Sequence, residues 1–382
     1  MAQKPRTYSP DTAPASTTLS CCAVDTTDPC TKAKSSHKLW SEADSNSSGE
    51  ITPKEGAVPW LASDQPSSDR RVGYRREMSG VSSRMRIGVQ LPEVEREVPF
   101  GELIEMAQTA EGAGFDSLWL GDHLLYDLPV GPRGPWEVWT SLAAIAASTT
   151  RITIGPLVAS TAFHAPAMLA KQAATVDAIS DGRLVVGLGA GWNRREYDAF
   201  GFPYDRRVSR FDEAFTIIRT LLRDGEIDFH GEFYDVDRCV LHPRGPRTGG
   251  PPLMVGSTGE RMLGITLPHV DAWNIWWSQY GNTAEGFARE KARTDGLISA
   301  AGRSPTDVEA TAAVLVRLAD GAGRQMGDYD GGLEVDPVTG SPAEIAEQLR
   351  AWQAAGAAHV QLVVDPITRD SIEWLADVIE GF

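Results

Sequence analysis

Short apolar runs alternate with amphipathic stretches from Met85 to the end of the chain, and no other feature of the sequence constrains the fold as much. Residues 87–91 read as a first strand and 100–113 as a helix stopped by Gly114. Strands at 117–120, 152–158 and 183–188 follow, with helices over 136–148 and 166–179 between them. In the second half the segment 207–223 places Phe211, Ala214, Phe215, Ile218, Leu221 and Leu222 on one helical face. Residues 227–240, punctuated by Gly231 and Asp235, read as a small hairpin or extended insertion. Further strands at 253–255, 272–276, 308–318 and 359–364 alternate with helices at 260–267, 283–301, 342–355 and 369–379. Nearly continuous apolar strands, each followed by a helix, predict a parallel sheet covered by helices. Eight such units in roughly 300 residues, against about 250 in a typical example, predict an α/β fold of the (β/α)8 TIM-barrel type with insertions. A doubly wound dinucleotide fold would carry its glycine-rich turn after the first strand, where this chain has Gln90-Leu91-Pro92-Glu93.

Residues 1–84 are rich in Ser, Thr, Asp, Pro and Lys and show no sustained period, so they cannot bury enough apolar surface to offset chain entropy. The expected organisation is a disordered extension over 1–84 and one barrel domain over 85–382. The abrupt onset of pattern also fits translation from Met85 or Met78. A net charge of −16 argues against nucleic acid or an anionic membrane as partner. No run reaches membrane-helix length, and the N-terminus lacks the apolar core of a secretory signal, so the expected location is the cytoplasm. Cys21, Cys22, Cys30 and Cys239 have no paired spacing, and neither a zinc site nor a disulfide framework is expected.

In a barrel the residues just after each strand converge on one mouth. Those positions here are Gln90, Asp122 and His123, residues 159–161, the glycine loop with Trp192 and Asn193, residues 256–259, and Trp276 with Trp277. The set is poor in metal ligands and lacks a His-x-His after the first strand, so no metal is expected. Two Gly/Ser/Thr-rich loops and several aromatic residues point instead to a flat, phosphate-bearing organic ligand. In LVVGLGAGWNRREYDAFG, residues 184–201, the alternate glycines Gly187, Gly189 and Gly191 would bring backbone close to that ligand, although the same spacing occurs where strands merely bend. His123 is the acid/base candidate, because an imidazole titrates near neutral pH, and Asp122 would bias it or bind the ligand. The plainer alternative is a capping Asp beside a half-exposed His. Trp192 would stack on a ring or plug the mouth. Arg194, Arg195, Arg206 and Arg207 read as a solvated face more readily than as a site for an anionic tail. His164, His230, His242, His269 and His359 read as structural or surface residues.

Four features together resemble the bacterial-luciferase-like superfamily, and within it the oxidoreductases dependent on the deazaflavin coenzyme F420. They are ITIGPLVASTAFHAPAMLAKQAATVDAISDGRLVVGLGAGWN at 152–193, the Asp122-His123 pair, the helix over 211–222, and PPLMVGSTGERMLG at 251–264. The resemblance covers essentially 85–382, and sister members use FMN. It implies that Asp122 lies beside the cofactor ring and that His123 is the proton donor or acceptor at the substrate. It further implies a backbone bulge near Leu157 to Ala159, a non-prolyl cis peptide in many relatives, against one ring face. Ala190, Gly191, Trp192 and Asn193 would follow the ring and ribityl chain, and Ser257, Thr258 and Gly259 would bind the phosphate. Sugar-phosphate dehydrogenase members carry a catalytic Glu where this chain has Trp192, which argues against that substrate. The expected activity is hydride transfer between reduced F420 and a small unsaturated or carbonyl substrate. An FMN monooxygenase served by a separate reductase and a non-catalytic flavin-binding protein are the alternatives. Relatives are often dimers, so a homodimer is expected.

Overall fold

The computed structural model describes residues 84–323 and 335–382. The expectation of a disordered extension therefore lies, Arg84 excepted, outside the described residues. The first half runs β1 (Arg86–Gln90), α1 (Phe100–Gly112), β2 (Ser117–Leu120), a hairpin of β3 (Tyr126–Leu128) and β4 (Gly131–Arg133), α2 (Val138–Ser148), β5 (Thr153–Pro156), β6 (Ala159–Ser160), α3 (Pro166–Ile179) and β7 (Val186–Gly189). After it come α4 (Arg194–Phe200), α5 (Arg207–Asp224), a ribbon of β8 (Glu226–His230) and β9 (Asp235–Val240), then β10 (Leu253–Gly256), α6 (Glu260–Thr266), β11 (Ala272–Ile275) and α7 (Trp277–Tyr280). The chain closes with α8 (Ala284–Ala300), β12 (Glu309–Arg317), α9 (Pro342–Ala354), β13 (His359–Asp365), α10 (Arg369–Trp374) and α11 (Ala376–Glu380).

Nine strand segments form one parallel sheet in the order β5-β2-β1-β13-β12-β11-β10-β7-β6. A bridge between Ile154 and Leu184 joins its two ends, so the sheet closes into a barrel. The extra segment arises because the third barrel strand is split into β5 and β6 by the cis Leu157–Val158 peptide, at the place the resemblance implies. The expected last helix is likewise two short ones that meet at Leu375. Among the described residues no helix is long and apolar enough to cross a membrane.

Helix α5 shows why the pattern reads through to structure. Its predicted face is the buried one, and it stops at Gly225, whose φ of 92° lets its N–H reach the carbonyls of Leu221 and Thr220. Inside the barrel, near the strand starts, Ser117 Oγ lies 2.7 Å from both Trp119 Nε1 and His359 Nε2. The indole donates to Ser117 Oγ, and the same hydroxyl pairs with the His359 imidazole. Burial and the nearby Arg86 charge push the His359 pKa well below its ordinary value. Higher up, the Asn274 amide donates to Thr311 Oγ1 and Gln361 Oε1, both at 2.8 Å. Asn274 in turn lines a cavity that opens at the strand C-terminal ends.

Candidate active site

The cavity has a volume of about 350 Å³ and is walled by the ends of β1, β2, β6, β7, β10 and β11. That size falls within the range of about 300–1,000 Å³ usual for small-molecule sites. Asp122 and His123 enter it from the end of β2, Leu157 and Val158 from the split strand, and Ala190, Gly191 and Trp192 from the loop after β7. Ser257 and Thr258 close the far side. Eight sequence-predicted site residues thus meet around one space: Asp122, His123, Leu157, Ala190, Gly191, Trp192, Ser257 and Thr258. The other three do not line it. Ala159 is buried in β6. Asn193 caps α4, its Oδ1 accepting from the Arg195 N–H at 3.2 Å and its Nδ2 donating to the Leu125 carbonyl at 3.0 Å. Gly259 N–H donates to Ser257 Oγ at 3.1 Å and so shapes the loop from within.

His123 is held by a carboxylate that the sequence reading missed. Its Nδ1 lies 3.1 and 3.2 Å from the two carboxylate oxygens of Glu196, whose side chain is 1% exposed. The backbone N–H groups of Leu124 and Leu125 donate to the same carboxylate, at 2.5 and 3.3 Å. A buried charge is tolerable only with such partners. A carboxylate can only accept, so Nδ1 carries a proton and Nε2 is the ring nitrogen free to act in the cavity. Burial works to lower the His123 pKa, but the Glu196 hydrogen bond and the charges of Glu93, Glu196 and Asp122 outweigh it and raise the pKa above the ordinary value. Tyr126 and Trp192 pack on the imidazole, with ring centroids 4.8 and 5.8 Å away. Trp192 therefore lines the mouth as an aromatic wall rather than sealing it.

Glu196 escapes a linear reading for a definite reason. It stands three residues after Asn193, an N-cap, where an acidic residue reads as an ordinary partner in a capping box. Only the fold turns it inward, across to the loop after β2. Glu93, also absent from the expected set, lines the cavity and accepts a hydrogen bond from Gln90. His164, expected to be structural or surface, instead has its Nε2 2.9 Å from Asp122 Oδ2, which also accepts from the Ser160 N–H at 2.8 Å.

Two expectations change in detail. Gly187 and Gly189 make room for atoms of this chain. A Cβ on Gly189 would stand 2.8 Å from Val158 Cγ2 and one on Gly256 3.0 Å from either Val158 methyl, while one on Gly187 would collide with the Pro156 carbonyl oxygen before meeting Val158 Cγ1 at 2.9 Å. Gly189 and Gly256 thus seat Val158 in the cavity wall, and at Gly191, with φ 70°, a Cβ would collide with Tyr197 Oη and Ser160 Oγ, so this glycine also makes room for the chain's own side chains. The arginine group also divides. Arg194, Arg195 and Arg206 pair with Asp198, Asp127 and Glu232 on exposed surface, as a solvated face should. Arg207 lines the cavity instead, its guanidinium stacked 3.8 Å from the Tyr204 ring centroid.

The description "Luciferase-like monooxygenase" matches residues 79–323, more than half of the chain. The chain belongs to this family. Among its curated relatives is the pyrimidine monooxygenase RutA of Cronobacter turicensis, 29% identical over 244 residues that span 62% of each chain. The F420-dependent glucose-6-phosphate dehydrogenase of Amycolatopsis mediterranei is 32% identical over 148 residues, 37% of this chain and 44% of that one. Both matches span less than two thirds of the relative's length. Among solved structures, an F420-dependent secondary alcohol dehydrogenase in complex with an F420-acetone adduct superposes with a TM-score of 0.66 at 18% identity, over 78% of this chain and 99% of that one. That likeness concerns the fold. The luciferase-like family thus includes both F420-dependent oxidoreductases and flavin monooxygenases.

Proposed function

We propose that this luciferase-like enzyme transfers a hydride between reduced F420 and a small carbonyl or activated unsaturated substrate, with His123 supplying the proton. The observation that carries the reading is the imidazole held by Glu196 and surrounded by carboxylates in the cavity wall. A histidine whose charged form is favoured suits proton delivery to an oxygen or carbon that gains negative character as hydride arrives.

The residues present fit a ring cofactor with an anionic tail. Val158, Leu157 and Ala190 offer an apolar wall, and Asp122 a polar edge. At the far side the Ser257 and Thr258 hydroxyls and the Arg207 guanidinium suit a phosphate. The Trp273 indole donates to the Ser257 carbonyl at 2.8 Å and Arg293 to the Thr258 carbonyl at 2.7 Å, so this end is braced from behind. When bound, the deazaflavin supplies the hydride chemistry, which the protein's own side chains cannot. The chain contributes the wall, the braced anion end, the proton on His123 Nε2 and the aromatic screen of Tyr126 and Trp192.

A second reading, an FMN monooxygenase fed by a separate reductase, is favoured by the longer curated match to RutA. Spectroscopic titration of the protein with F420 and with FMN tests both readings. Tight F420 binding followed by substrate-dependent oxidation of reduced F420 is the expected result. FMN binding with no F420 binding rejects the first reading in favour of the second.

A further inference from the structure

The site contains a second histidine–carboxylate pair to which the reaction above assigns no role. Asp122 lines the cavity, and its Oδ2 is shared by the Ser160 N–H and His164 Nε2. The Asp122 side chain is 1% exposed and that of His164 12%, so the pair runs outward from the cavity wall. Trp139 of α2 meets the His164 ring edge-on at 6.5 Å. Asp122 is the one charged group that the described residues bring within hydrogen-bond reach of that imidazole.

Proton balance gives such a pair a task. The substrate gains a hydride and a proton, and His123 Nε2 gives the proton. A reduced ring bound in its neutral form that gives up hydride must also shed a nitrogen-bound proton to return to the neutral oxidised form. His123, being the donor to the substrate, is not placed to receive that second proton in the same step. We infer that Asp122 and His164 act as a coupled pair that accepts the ring proton and passes it outward, separately from the His123–Glu196 pair. The bookkeeping closes: the ring loses one hydride and one proton, the substrate gains one of each, His123 loses a proton and the Asp122–His164 pair gains one. The pair keeps its proton while the oxidised ring is bound, exchange with water resets both pairs once that ring leaves, and in the oxidative direction every transfer reverses. The inference rests on the proposed reading, in which the cavity holds a ring that passes hydride to the substrate.

Calorimetric titration of the full chain with oxidised and with reduced cofactor, F420 and FMN in turn, in buffers of different ionisation enthalpy, counts the protons exchanged on binding. The wild-type protein should exchange different numbers for the two oxidation states. His164→Gln keeps an amide donor for Asp122 but cannot hold a proton. It should abolish that difference, change cofactor Kd by less than about fivefold, the worth of one neutral hydrogen bond, and lower turnover by about 10²-fold. Nitrogen NMR of histidine side chains in the wild-type protein gives a reading that needs no variant: the His164 signals should differ between the oxidised and reduced complexes. A proton difference that persists in H164Q, or His164 signals identical in the two complexes, overturns the relay. Binding of neither ring to the wild-type protein overturns the cofactor reading, and the relay with it.

Discussion

His123 and His359 occupy the same barrel, both largely or wholly buried, and their surroundings drive them to opposite charge states. His359 stands at the start of β13, bonded to a neutral hydroxyl with the Arg86 charge nearby, and its pKa lies well below the ordinary value. His123 follows the end of β2, faces Glu196, Glu93 and Asp122, and has its pKa raised despite burial. Burial alone would lower both, so the local charges decide the difference. The lesson matches the division of labour in barrels, where strand starts serve stability and strand ends carry chemistry.

The sharpest way to break this contrast is to remove each imidazole in turn. His123→Ala should reduce turnover by about 10²–10⁴ while leaving cofactor affinity largely intact, as steady-state kinetics and a binding titration would show. His359→Ala should leave turnover per folded molecule unchanged and lower stability by about 1–3 kcal/mol in denaturant unfolding, because the Ser117 hydroxyl loses a hydrogen-bond partner in a buried place. Equal losses of turnover in the two variants would dissolve the distinction.

The next effect concerns the anion end of the rim. Arg207→Ala should weaken binding of a phosphate-bearing cofactor by about 10–10²-fold, the worth of a charged hydrogen bond, and hardly affect riboflavin, which lacks the phosphate. Arg206→Ala, which removes an exposed partner of Glu232, should leave both affinities where they were.

A smaller but more specific effect attaches to Glu196. In Glu196→Gln the His123 charge loses its main support, so the pH at which reductive turnover falls off on the alkaline side should move lower. An unmoved pH profile would mean that another group donates the proton.

The subtlest test is the pH dependence of stability. With a raised folded-state pKa, His123 contributes stability that is present below the ordinary value of 6.5 and is lost as pH rises through its folded pKa. With a lowered one, His359 contributes stability present above 6.5 and lost as pH falls below it. Unfolding followed across pH should therefore lose its alkaline-side decline in the His123 variant and its acid-side decline in the His359 variant.

Much of this molecule was legible in the order of its residues. Strand and helix periods, the stop at Gly114, and the absence of a glycine turn after β1 are local properties, and they were enough to predict the barrel and the rim on which Asp122, His123, Trp192 and Ser257 meet. The partners of those residues were not legible. Glu196 carries no local mark of its role, His164 reads as a structural or surface histidine, Arg207 like its three neighbours, and Gly187 and Gly189 as a ligand cradle rather than as room for the chain's own Pro156 and Val158.

What the chain alone determined was the placement of backbone, because hydrophobic period and turn chemistry act between residues near in sequence. Only the closed barrel decided which charges face each other. Electrostatic and hydrogen-bonding partners here lie 73 residues apart for His123 with Glu196 and 242 for Ser117 with His359, and interactions of a few ångströms are set by folding, not by spacing along the chain.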